Sequence, residues 1–151
     1  MSEAGDEFSA QCHVWAQRKS WLRARQVKGA VRPLEGDAIL VLKKPYVDAI
    51  IAGEKTLEIR RTRMKAGVRW LASQGMVHGV AEFGAAEVVA SDQEWQACMP
   101  HHMWDVPKRP YAACTYKHEV RGPVRIAPIP YQRLRGQIGF AKYRPLRAAA
   151  P

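Results

Sequence analysis

Apolar residues along this chain change their spacing several times, and each change marks an element. The run Ile39 to Leu42 has the length and composition of a strand. Pro45 follows where a helix can begin, because its missing N–H would have no partner in the first turn. Val47, Ile50 and Ile51 then recur at i, i+3 and i+4, and Gly53 can take the left-handed conformation that ends a helix. From Thr56 the period falls to two, with Thr56, Glu58 and Arg60 on one side and Leu57 and Ile59 on the other. The stretch Ala38 to Arg60 therefore predicts strand, helix, tight turn and strand. It delivers a polar row of Lys55, Glu58 and Arg60 to the start of a half-buried strand.

The same reading extends both ways. Val14, Trp15, Trp21 and Leu22 recur about seven apart, which predicts a basic amphipathic helix over 12–27, before Pro33 and Gly36 mark a break. Arg61 to Lys65 is dense in charge and reads as a loop. Strands are expected over Val68 to Ser73 and Val77 to Val89, with a turn at Gly75 and a bulge or bend at Gly84. Ser91-Asp92-Gln93-Glu94 is a capping box opening a helix with Trp95, Cys98 and Met99 on one face, limited by Pro100. His101 to Asp105 reads as a loop, Tyr111 to Val120 as a strand, and Val124 to Tyr131 as an edge or extended segment because of Pro128 and Pro130. Ile138 to Tyr143 supplies a last strand, and 145–151 reads as a disordered tail.

Charge changes this picture more than composition does. Residues 1–37 carry six Lys/Arg against five Asp/Glu, 38–81 eight against three, 82–107 none against five, and 108–151 ten against one. Two basic blocks thus flank an acidic segment, an arrangement suited to a polyanion such as RNA. No apolar run approaches the roughly 20 residues that span a bilayer, so no membrane is expected. The acidic start from Glu3 to Glu7 does not read as a secretory leader, which predicts an intracellular protein, cytoplasmic or nuclear. The Arg-rich stretch after it leaves an organelle address open. Cys12, Cys98 and Cys114 are odd in number and far apart, as free thiols in a reducing compartment would be.

Gly53, Lys55, Glu58 and Arg60 form G-x-K-x-x-E-x-R. With the preceding Pro45-Tyr46 and Ala49-Ile50-Ile51, this stretch resembles the signature of the ASCH (activating signal cointegrator homology) domain, a member of the PUA-like superfamily. Gly79 to Glu82, Pro128 to Tyr131 and Gly136 to Phe140 resemble later stretches of that family, so the likeness runs from about Ala38 to Tyr143. The resemblance implies an α+β fold, a small PUA-like β-barrel of five to six strands with two or three short helices. The domain would run over 38–144, after an N-terminal basic extension over 1–37.

The resemblance also implies RNA as partner. Arg61, Arg63, Lys65 and Arg69, with Lys117, Arg133 and Arg135 from the second basic block, are the candidate phosphate contacts. Tyr46, Tyr116 and Tyr131 are the candidate stacking faces, since bases on aromatic rings bind with little sequence preference. Some bacterial ASCH-like enzymes hydrolyse N4-acetylcytidine with a lysine and a threonine three residues later. Here Glu58 stands at the threonine position, which changes the hydrogen-bonding inventory. Three readings are compatible with these residues. The first is an RNA-binding domain for single-stranded or loop RNA. The second is a metal-independent hydrolase of RNA or a modified nucleoside, with Lys55 as nucleophile or base, Glu58 as proton carrier and Arg60 as anion stabiliser. The third is a protein-interaction module of a transcription or translation complex, docking through 12–27. No cofactor is expected. No metal is expected either, because adjacent His101 and His102 diverge and no Cys or carboxylate stands at a ligand spacing.

Overall fold

The computed structural model describes residues 18–134 and 139–147. The chain divides into two compact units, Met1–Leu34 and Glu35–Pro151. In the first, helix α1 (18–23) precedes a hairpin of β1 (Gln26–Val27) and β2 (Ala30–Val31). The Arg25 guanidinium lies 3.6 Å over the Trp21 ring and donates to the Trp21 carbonyl at 3.0 Å. The helix expected over 12–27 is therefore shorter at its C-terminal end, because the chain turns back at Lys28 and Gly29, both with positive φ. Its first part, 12–17, lies outside the described residues.

The second unit is built on a mixed sheet that curls into a half-barrel. Its elements in chain order are β3 (Ala38–Val41), α2 (Lys44–Ile51), β4 (Leu57–Arg60), β5 (Gly67–Ser73), β6 (Met76–Phe83) and β7 (Glu87–Val88). Helices α3 (Asp92–Ala97) and α4 (Met99–His102) come next, then a 3-10 turn over Ala112–Cys114, β8 (Tyr116–Pro130) and β9 (Phe140–Lys142). The strand order is β4-β8-β6-β5-β3-β9, with β7 also paired to β8. Among the described residues only β3 and β5 run parallel, and α2 lies within the crossover between them. The small α+β barrel expected from the resemblance is present: six strands along this path, with β7 beside them.

Two apolar clusters hold the sheet's curl. Leu40, Val47, Ile50, Met64, Leu71, Ala81, Phe83 and Val120 pack inside it, so the apolar stripe of α2 covers β3, β5, β6 and β8. On the other face of β4, Ile59 packs with Val89 and Trp95, bordered by Trp104 and Tyr111. Burying such side chains contributes roughly 1.5–3 kcal/mol each.

Several expectations are corrected. Tyr111 to Cys114 is a turn, and the strand begins at Tyr116. The region from Val124 to Pro130 continues that strand and pairs with β6 alone; its prolines stand where no second neighbour needs their missing N–H. The strand expected from Val77 ends at Phe83, and Gly84 donates to the Glu119 carbonyl at 2.8 Å. His101 and His102 belong to α4, because Pro100 opens a second short helix where its missing N–H costs nothing. Ile138 lies outside the described residues, and the last strand is Phe140–Lys142. Pro145, read as tail, pairs with Tyr131 in an isolated bridge.

Candidate functional site

The turn after α2 places the polar row. Gly53 has φ of 80°, and the Glu54 and Lys55 amides donate back to the Ala49 carbonyl at 2.9 and 3.1 Å, so the helix stops sharply and β4 starts at Leu57. Lys55 is 1% exposed. Its Nζ donates to the carbonyl of His102, the last residue of α4, at 2.6 Å. One residue on, the Thr56 amide donates to the His101 carbonyl at 3.0 Å. Two carbonyls that a helix end leaves without partners are thereby satisfied by the signature turn. The ammonium also lies 5.2 Å from the centre of the Tyr46 ring. Burial lowers the Lys55 pKa, while the Glu58 charge pulls it back up.

Glu58 and Arg60 share the face of β4 that looks into the barrel. Glu58 is 4% exposed, yet among the described residues its Oε2 finds no donor and the carboxylate forms no ion pair. Burial raises its pKa against the opposing charges of Lys55 and Arg60. An unmet buried acceptor costs about 1–3 kcal/mol, which marks this position as one not optimised for packing alone.

The Arg60 guanidinium lies 4.6 Å from the centre of the Phe140 ring. A Cβ at Gly139, whose φ is 83°, would stand 2.9 Å from its Nη2. Strands β4 and β9 end the sheet path without pairing to each other. Arg60 and Phe140 therefore bridge the seam of the barrel by a cation–π contact.

Two further groups stand near this unpaired seam between β4 and β9, the mouth of the half-barrel. His118 stands opposite Glu58 in the β4–β8 register and is fully buried. Its Nε2 accepts from the Met64 amide at 3.3 Å, so its Nδ1 donates to the Gly84 carbonyl at 3.0 Å and the ring is neutral. Burial is the main cause of its lowered pKa, with Arg69 and Arg60 adding to it. Arg69, on β5, shares its face with Leu71. Its Nη1 is buried without an acceptor among the described residues, and its pKa is lowered by burial and then by the Arg60 charge.

Lys55, Glu58, Arg60 and Arg69 thus form a chain of charges, each within electrostatic reach of the next: Lys55 of Glu58, Glu58 of Arg60, and Arg60 of Arg69. Beside them the loop after β4 exposes Arg61, Arg63 and Lys65 while Met64 plugs into the core. The Arg63 guanidinium lies 5.3 Å from the Tyr116 ring centre. Other expected contacts stand apart. Lys117 is held by Glu94 at 3.1 Å and Glu87 at 3.9 Å, so its charge is already matched. Tyr131 is 4% exposed and offers no face for stacking. Arg133 is exposed beside the β5–β6 turn, its Nε 3.2 Å from a Cβ placed on Gly75. Arg135 lies outside the described residues.

Sequence reasoning missed His118, Phe140 and the His102 carbonyl. The period-two spacing of His118 with Val120 could have found the first; the others depend on long-range pairing. The histidine pair does diverge. His101 Nδ1 meets Thr56 Oγ1 at 3.2 Å, while the His102 ring stacks on Trp95 with centres 3.7 Å apart. Among the described residues no three His, Cys, Asp or Glu side chains could hold a metal ion together. An open groove of about 560 Å³ runs between the start of α2 and the β5–β6 turn, touching the mouth only at Gly139.

A crystal structure of a mutant form of ZmASCH from Zymomonas mobilis aligns with 75% of this chain and 92% of its own, at a TM-score of 0.57 and 17% identity. The fold is ASCH-like. No family model matches the sequence, and no curated protein does. The ASCH-like fold thus rests on structural similarity. Among the described residues, no helix is long and apolar enough to cross a membrane.

Proposed function

We propose that this ASCH-like domain binds RNA, taking single-stranded or loop segments at the barrel mouth. The observation that carries this reading is the loop Arg61, Arg63 and Lys65, three exposed cations with no acid paired to them among the described residues, one lying over the Tyr116 ring. Cations spaced along a loop beside an aromatic face suit a backbone of phosphates with bases that can stack. The test is fluorescence anisotropy with a labelled single-stranded RNA. Affinity is expected to fall steeply with added salt and to drop when Arg61, Arg63 and Lys65 are changed together to Ala. Absence of binding at about 50 mM salt, where phosphate contacts are strong, would overturn it.

The second reading is a metal-independent hydrolase of RNA or a modified nucleoside. It is favoured by the burial of Lys55 beside Glu58, which lowers the lysine pKa and raises that of the carboxyl. The opposite shifts bring the two pKa values toward each other, as a pair that exchanges a proton requires. Turnover of N4-acetylcytidine or single-stranded RNA, abolished in Lys55→Ala, supports it; turnover unchanged in that variant removes Lys55 from the chemistry.

A further inference from the structure

We propose that the barrel mouth contains a phosphate-monoester subsite between Arg60 and Arg69, which takes the terminal phosphate of a nucleotide or of an RNA strand end. The proposal rests on the RNA-binding reading only for the nucleotide attached to that phosphate.

Arg60 projects from β4 on the face shared with Glu58 and, across β8, with His118. Arg69 projects from β5 on the face whose next member, Leu71, lies in the interior core. The two cations come from different strands, and each lies within electrostatic reach of the other and of His118. Among the described residues neither guanidinium forms an ion pair, and Arg69 Nη1 is buried without an acceptor. Arg60 is held in place by the Phe140 ring and by the bare Gly139 backbone. Each charge makes the neighbouring groups harder to protonate: Arg69 feels Arg60 after burial, and His118 feels both. Glu58 is an acid on this face, but burial favours its neutral form, its Oε2 has no donor among the described residues and it forms no ion pair with either arginine.

Two guanidinium forks that form no ion pair among the described residues, one with a buried N–H lacking an acceptor, suit an anion with more than one charge and several free oxygens. A phosphate monoester carries about −1.5 to −2 at pH 7 and three acceptor oxygens, enough for both forks at once. An internal phosphodiester brings one charge and two free oxygens.

The probe is inorganic phosphate against sodium chloride of equal ionic strength, followed by thermal unfolding and by 31P line width. A saturable rise in Tm and line broadening are expected in the native protein, lost in Arg60→Met and Arg69→Met and retained in Lys108→Ala. Arg69→Lys, which keeps charge but not the fork, should weaken the response and serves if the Met variant does not fold. Equal effects of phosphate and chloride, or a full response in a folded Arg69 variant, overturn the subsite. A mononucleotide and the same RNA carrying or lacking a 5′ or 3′ phosphate separate the two sources; at least a tenfold preference for one phosphorylated form is expected. If phosphorylated and bare RNA bind alike and mononucleotide does not bind, the subsite falls while RNA binding stands. If phosphate binds but no RNA does, the subsite stands and the RNA reading falls.

Discussion

Lys55 has a structural task besides any chemical one: its ammonium satisfies the His102 carbonyl, so the signature turn and the end of α4 hold each other. Lys55→Met should cost about 1–3 kcal/mol, the penalty of leaving a buried acceptor unmet, readable by urea unfolding. Its neighbour behaves oppositely. The Glu58 pKa is raised in the folded state from an ordinary 4.5, chiefly by burial. The folded protein then binds more protons than the unfolded chain above that value, and stability falls as pH rises through the raised pKa. Glu58→Gln is therefore expected to stabilise at pH 7 relative to its effect at pH 4. Urea midpoints at the two pH values check this, and equal shifts would mean the carboxylate has a partner in solution. Gly139→Ala tests the seam. The left-handed φ makes Ala unfavourable by about 1 kcal/mol, and the new methyl would meet Arg60 Nη2. Lower stability together with weaker RNA binding is expected; lower stability alone would leave Arg60 without a binding role.

The segment between β7 and β8 is the element through which the turn is held. Ser91 Oγ accepts from the Glu94 amide at 3.0 Å, and Glu94 reaches back to the Ala90 amide, so the capping box read from the sequence forms with its return bond displaced by one residue. The chain beyond this helix was not legible. Pro100 suggested the end of a helix, whereas the chain starts a second one; His102 goes into the core because both ring nitrogens find backbone partners, Trp104 N–H at 2.8 Å and the Trp95 carbonyl at 3.1 Å. Those partners come from folding rather than from spacing. Strand, helix and turn from Ile39 to Arg60 were legible because their periodicities are local and agree with each other. That β4 and β9 end the sheet and meet through Arg60 and Phe140 depends on pairing across some eighty residues, which no local pattern encodes. The two buried histidines carry a consequence for acid stability. His102 and His118 have pKa values lowered from 6.5, first by burial. Below 6.5 the unfolded chain binds protons that the folded rings resist, so stability is full above that pH and lost beneath it, by up to about 1.4 kcal/mol per pH unit for each ring. Urea midpoints of Glu58→Gln, which removes the opposing titration of the buried carboxyl, should fall between pH 7.5 and 5, and a flat profile in that variant would contradict the neutral assignments.

Across the whole chain, an excess of ten positive charges is not spread evenly, and its pairing matters more than its sum. The acidic segment uses Glu87, Asp92 and Glu94 to engage Lys117 and Arg109 from the second basic block. Arg121 is likewise taken by Glu119. The first block, by contrast, leaves Arg61, Arg63 and Lys65 exposed beside the mouth, without an ion pair among the described residues. Charge count from the sequence weighted the blocks alike; the structure moves the weight to the loop after β4. Counterion release makes this measurable. For a single strand, each neutralised phosphate adds about 0.7 to the slope of log affinity against log salt. Changing Arg61, Arg63 and Lys65 together to Ala should therefore flatten that slope by about 2 if all three touch phosphates. Lys117→Ala should leave the slope unchanged, because its ammonium is already held by two carboxylates. Titrations of one RNA at four or five salt concentrations decide the matter. A slope unaltered in the triple variant would place the phosphate track elsewhere on the protein, and a slope flattened by Lys117→Ala would mean that its acidic partners release it to the RNA.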